Sequence, residues 1–94
     1  MAEAALRRLE ALVIEVCMRP CTQLECVRLQ SIFELAAEAG LSGASTEFME
    51  KLSRELEAMA GEAERRGCSS KDVGVLLEAS RLATALAASG TEDK

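Results

Sequence analysis

The chain lacks histidine, tryptophan and tyrosine altogether, and its aromatic residues are limited to Phe33 and Phe48. Without histidine, Ser–His and Cys–His nucleophile pairs and His-ligated metal sites are excluded. The core must therefore be built mainly from Leu, Ala, Val, Ile and Met. Because β-branched and aromatic residues are sparse, and Ala, Leu, Glu, Arg and Lys dominate, the composition predicts an all-α fold.

Length and charge narrow the functional classes further. The 94 residues fit one domain, and a net charge of −5 disfavours a large nucleic-acid or anionic-membrane surface. No segment approaches the roughly 18 apolar residues of a membrane-spanning helix, so we expect no membrane partner. Glu3, Glu10 and Glu15 interrupt the N-terminal segment, which is unlike a secretory signal. These features predict an intracellular, reducing compartment: the cytoplasm, or an organelle matrix if a presequence was removed.

Hydrophobic periodicity and turn residues divide the chain into four helices. Helix one is predicted over residues 2–18, because Pro20 disfavours a helical residue before it. Gly40 and Gly67 are predicted to close helices two and three in the left-handed conformation. From residue 73 onwards helix four is apolar on most sides, which is typical of a helix buried in its own fold or in a partner.

The predicted fold is all-α, with about four helices arranged as two antiparallel helical hairpins. Hairpin one covers about residues 2–40 and hairpin two about residues 45–89, within a single helical domain over residues 1–90. The two hairpins are expected to form either a small bundle or a short α-solenoid. Residues 90–94 are predicted to be a flexible polar tail.

Two segments of the chain have similar starts. Thr22 and Glu25 have the spacing of a capping box at the start of helix two, and Ser69 and Asp72 repeat that spacing at helix four. Residues 21–26 align with residues 68–73, and the apolar stripes that follow also match. An internal repeat of two helix–turn–helix units explains this pattern, although any two capped Leu/Ala helices would share part of it.

Helix four begins with the pattern Ser69-x-x-Asp72-Val73-x-x-Leu76-Leu77-x-Ala79. This pattern resembles the second helix of organellar helical-hairpin repeats, namely the octotricopeptide, heptatricopeptide and FAST-kinase-like repeats. The resemblance implies stacked hairpins and an association with RNA. This chain differs from those families in being acidic and poor in aromatic residues, which disfavours direct RNA binding.

The four cysteines are Cys17, Cys21, Cys26 and Cys68. Because no secretion signal is recognised, we expect reduced thiols that act as small hydrophobic residues. A four-thiolate zinc site is the alternative, but the spacing lacks the paired CxxC pattern of such sites. We therefore predict no metal, no cofactor and no enzymatic activity.

The apolar content exceeds what two small hairpins are expected to enclose, so part of it should face a protein partner or a second copy. The candidate partner-binding residues are Leu12, Val75, Leu82 and Leu86, with Ile14 as a further surplus apolar residue.

Arg65, Arg66 and Lys71 form a possible basic patch. The predicted function is a non-enzymatic protein–protein interaction module, such as an adaptor, a small chaperone or a subunit of a larger assembly. The alternative is an RNA-associated helical-repeat component of an organellar ribonucleoprotein.

Overall fold

The computed structural model describes residues 2–40 and 45–92. This part of the chain is helical almost throughout, with α1 over Ala2–Met18, α2 over Gln23–Glu38, α3 over Thr46–Arg65 and α4 over Ser70–Glu92. A short 3-10 turn over Pro20–Thr22 joins α1 to α2. The all-α fold with four helices is thus confirmed.

Local sequence signals explain where most helices begin and end. Gly40 and Gly67 have φ angles of 80° and 95°, which L-residues with side chains rarely adopt, and they follow α2 and α3 as predicted. The Ser45 side chain accepts a hydrogen bond from the Phe48 N–H at 3.1 Å and caps α3. At α4, the Asp72 N–H donates to Ser69 Oγ at 3.2 Å.

The capping box is reciprocal at α4 but not at α2. The Ser69 N–H donates to Asp72 Oδ2 at 3.2 Å, which completes the predicted pair of bonds. At α2, Thr22 makes no side-chain cap; its hydroxyl donates instead to the Val16 carbonyl at 2.7 Å. The predicted capping box at Thr22 and Glu25 is therefore wrong, because the turn directs both side chains into the protein.

Helices α3 and α4 form the most extensive contact, α1 packs on α4, and α2 contacts α1 more than α3. This arrangement is a small bundle in which α4 lies between two neighbours, as its apolar sequence suggested. The buried core includes Leu12, Val16, Leu29, Phe48, Met49, Leu52, Leu56, Met59, Ala60, Ala63, Leu76, Ala79 and Ala83.

The end of α4 differs from the sequence-based prediction. The helix continues to Glu92, whereas a polar tail was expected from residue 90. Once a helix is formed, each added residue gains one backbone hydrogen bond, so the polar residues after Ala88 can continue the helix without a new nucleation step. Residues 93 and 94 lie outside the described part. Among the described helices, none is long and apolar enough to cross a membrane.

Candidate functional site

Two features could carry a function, and they lie at opposite ends of the bundle. The first is the cysteine end, formed by the C-terminus of α1, the start of α2 and the turn before α4. Here Cys17 is bonded to Cys26, and Cys21 is bonded to Cys68. The second is a groove lined by the N-terminal half of α1, the C-terminal half of α2 and the start of α3.

The cysteines correct a prediction made from the sequence. All four are in disulfides, with Cα–Cα distances of 4.8 Å for Cys17–Cys26 and 5.8 Å for Cys21–Cys68, and no cysteine is free. The prediction of reduced thiols is wrong because it was inferred from the composition of the N-terminal segment and not from the distances between the cysteines. It treated Cys17 and Cys26 as separate small hydrophobic residues, whereas the turn between α1 and α2 brings their sulfur atoms together. Disulfides are unusual in a reducing compartment, so the compartment expected from the sequence loses its support.

A buried ion pair lies beside the disulfides. Glu25 is 1% exposed and accepts hydrogen bonds from Arg66 Nη1 at 3.0 Å and from Arg66 Nη2 at 2.7 Å. Arg66 Nη2 also donates to the Cys21 carbonyl at 2.6 Å. The hydrogen bonds to Glu25 raise the pKa of Arg66 above its usual value. This pair therefore fixes the loop after α3 against the start of α2.

The predicted basic patch is not a free cluster. Arg66 is committed to Glu25, whereas Arg65 and Lys71 are exposed and make no ion pair among the described residues. The physical reason is that the chain brings a buried carboxylate next to Arg66, and an unpaired buried carboxylate is costly. Only Arg65 and Lys71 thus remain as unpaired cations in this region.

Three potential metal ligands meet at the cysteine end. One ligand atom from each of Cys21, Cys68 and Asp72 lies within 4.8 Å of the others. The two sulfur atoms are bonded to each other, and Asp72 Oδ1 accepts a hydrogen bond from Arg19 Nη1 at 2.9 Å. That hydrogen bond lowers the pKa of Asp72 below its usual value, although burial acts in the opposite direction. The three groups are thus engaged with protein partners and do not fit a metal ion in this state.

At the other end of the bundle lies an open cavity of about 550 Å³, which we call the interaction groove. Its lining consists of Leu6, Leu9, Glu10, Val13, Ile14, Phe33 and Met49. Ile14 remains 59% exposed and Phe33 37% exposed, so the groove is open to solvent along one side. Among the described residues of this lining, Glu10 is the single charged one.

The groove exists because the C-terminal half of α2 makes few contacts with the bundle. The Phe33 ring lies 5.3 Å from the Phe48 ring, between centroids, at a tilted angle. On the other side of this contact lies a smaller cavity of about 80 Å³, which is lined in part by Ile32 and Ala36. The apolar side of α2 that includes Ile32 and Ala36 therefore faces the bundle, but the other helices bury it only in part.

The predicted partner-binding residues lie mostly elsewhere. Leu12 is 1% exposed, and Val75 and Leu86 are each 8% exposed. These three residues are therefore buried in the core and do not form the apolar surface that was expected. They are buried because α4 is covered on two sides by α1 and α3. Leu82 is half-buried and packs against the core. Ile14, the further surplus residue, is the one that reaches the surface and lines the groove.

Helix α2 also carries exposed apolar residues on its outward side, which we call the outer stripe. Leu24, Val27 and Leu35 are 64%, 63% and 55% exposed, and their spacing places them on one helix face. This stripe was not predicted from the sequence. It could have been predicted, because apolar residues occur on all sides of α2 and not on one face alone.

Comparisons with known proteins do not assign the chain to a family. The chain matches no protein-family model, no curated protein and no solved structure.

Proposed function

We propose that the protein is a non-enzymatic interaction module that binds a helical segment of a partner protein in the interaction groove. The observation that carries this proposal is the open cavity of about 550 Å³ with a largely apolar lining. A partner helix can bury its apolar face in such a groove, with anchor residues at spacings of three and four. Burial of exposed Ile14 and Phe33 would supply the hydrophobic free energy of binding.

A helix suits this groove better than a small molecule. Small-molecule sites enclose most of the ligand and present several converging polar groups. Here Ile14 is more exposed than buried, and the described part of the lining contributes one charged group, Glu10. From Leu6 to Ile14 the α1 wall measures about 12 Å along the helix axis, or roughly two helical turns.

The disulfides support a proposal about the compartment. Two disulfides in a chain of this size are typical of proteins that fold in an oxidising environment. We propose that the module acts in such a compartment. One crosslink holds the start of α2 to α1, and the other holds the 3-10 turn before α2 to the turn before α4. Together they help to hold the α2 wall of the groove in place.

The experiment uses a probe peptide of about 16 residues, built from leucine, alanine and glutamine with leucines at helical spacings of three and four. We expect the wild-type protein to bind this neutral peptide in a fluorescence anisotropy titration. Ile14→Glu should weaken binding by about tenfold or more, because it places a charge in an apolar contact.

Met18→Glu is the matched control. Met18 lies one turn after Ile14, is 76% exposed and does not line the groove, so we expect less than about a twofold change. Both variants should unfold within about 0.5 kcal/mol of the wild type, because both positions are exposed. Equal loss of binding in the two variants, or no binding of the peptide to the wild type, contradicts the proposal.

A further inference from the structure

The two long walls of the interaction groove, α1 and α2, differ from the rest of the bundle in their charges. Residues 2–40 contain no lysine, and each of their four arginines is paired within the chain. The pairs are Arg7–Glu3, Arg8–Glu78, Arg19 with Glu15 and Asp72, and Arg28 with Glu55 and Glu62. The helices that form the two long walls of the groove therefore offer no unpaired cation.

Unpaired carboxylates lie on both of these walls. Glu10 lines the groove on α1, is exposed and makes no ion pair among the described residues. On α2, Glu34 directly follows the groove-lining Phe33 and is likewise exposed and unpaired in the described part of the chain. The two walls of this apolar groove thus carry unpaired carboxylates: Glu10 lies in the lining, and Glu34 is the sequence neighbour of a lining residue.

We infer that the groove selects a basic amphipathic helix: an apolar stripe of about two turns, flanked by Lys or Arg that face Glu10 and Glu34. This inference rests on the proposed function and names the chemistry of its partner. Complementary charge at the rim of an interface speeds association and rejects acidic competitors. Lysine or arginine on the flanks of the partner helix would supply the cations that these two walls lack.

A second copy of the chain is a poorer occupant. Its exposed outer stripe on α2 is accompanied by Glu38, which is exposed and unpaired in the described part. Docking this stripe into the groove of another copy would bring carboxylates against carboxylates. Like charges placed together at an interface disfavour the complex.

The test uses three peptides that share one leucine stripe and differ only in the residue on their flanks, which is Lys, Gln or Glu. With the wild-type protein, we expect affinity to fall in the order Lys, Gln, Glu, and the preference for Lys to decrease with added salt. In the double variant Glu10→Lys with Glu34→Lys, binding of the Lys peptide should weaken by at least about twofold and by up to about thirtyfold. The Glu peptide should then bind better than it binds to the wild type.

Glu57→Lys with Glu64→Lys is the matched control, because it changes the net charge equally at exposed, unpaired positions on α3 that do not line the groove. It should leave the order of the three peptides unchanged. If it weakens the Lys peptide as much as the groove variant does, only the net charge matters and the inference is overturned.

The outcomes also separate this inference from the function on which it rests. If the Gln peptide binds and the Lys peptide binds no better, the charge selection is refuted while the groove function survives. If none of the three peptides binds, both fail. Circular dichroism and urea denaturation of each variant confirm that the charge changes leave the fold intact.

Discussion

Removal of each disulfide should destabilise the protein by an amount set by the loop that it closes. Cys21–Cys68 joins residues 47 apart, and Cys17–Cys26 joins residues only 9 apart. In the chain-entropy treatment, the longer loop corresponds to about 4 kcal/mol of stabilisation near 25 °C and the shorter one to about 2.6 kcal/mol. Since a domain has roughly 5–15 kcal/mol in total, either loss is a large fraction of the stability.

The perturbation is the paired substitution Cys21→Ala with Cys68→Ala, compared with Cys17→Ala and Cys26→Ala. Each pair removes one crosslink and leaves no unpaired thiol. The free energy of unfolding is measured by urea denaturation followed by circular dichroism, without reductant.

Three results would refute this reasoning. The first is a loss from the Cys21–Cys68 pair equal to or smaller than the loss from the Cys17–Cys26 pair. The second is a loss below about 1 kcal/mol for both pairs, which would mean that the crosslinks do not constrain the unfolded chain. The third is an unchanged unfolding curve for the wild-type protein after complete reduction by excess dithiothreitol.

Two further predictions concern the core and an ion pair. Leu76→Ala should lower the free energy of unfolding by about 2–5 kcal/mol because Leu76 is fully buried. Leu24→Ala, at an exposed site, should change the free energy of unfolding by about 0.5 kcal/mol or less. Urea denaturation measures both, and a similar effect at the two sites argues against the packing described. Arg19 lowers the pKa of Asp72 in the folded state. The ionised Asp72 therefore stabilises the fold at pH values above its unfolded-state pKa of about 3.9, and this stabilisation is lost as the pH falls through the folded-state pKa. The difference in unfolding free energy between the wild type and Asp72→Asn should thus shrink between about pH 7 and about pH 2, and a constant or widening difference contradicts this assignment.

The sequence predicts the helices well because their signals are local. Pro20, Gly40 and Gly67 act through their own backbone conformations, and apolar periodicity identifies the inner face of each helix. The Ser69–Asp72 capping box needs only residues within one turn, and the structure confirms it.

The features that the sequence did not predict depend on tertiary contacts. Glu25 was assigned to a cap, but it pairs with Arg66, which lies 41 residues away in the chain. Disulfide pairing depends likewise on which helix ends meet. The groove arises from the position of the C-terminal half of α2, which Phe33 fixes through its contact with Phe48. A local sequence pattern does not predict these contacts, because each joins residues from different helices or turns.

The most direct test of the central claim is to locate the bound peptide on the protein. Amide chemical shifts of labelled wild-type protein are recorded during titration with the neutral leucine-stripe peptide. We predict that the largest changes map to Leu6, Val13, Ile14, Phe33 and Met49, which line the interaction groove. Largest changes at the outer stripe of α2 or at the cysteine end would contradict the account.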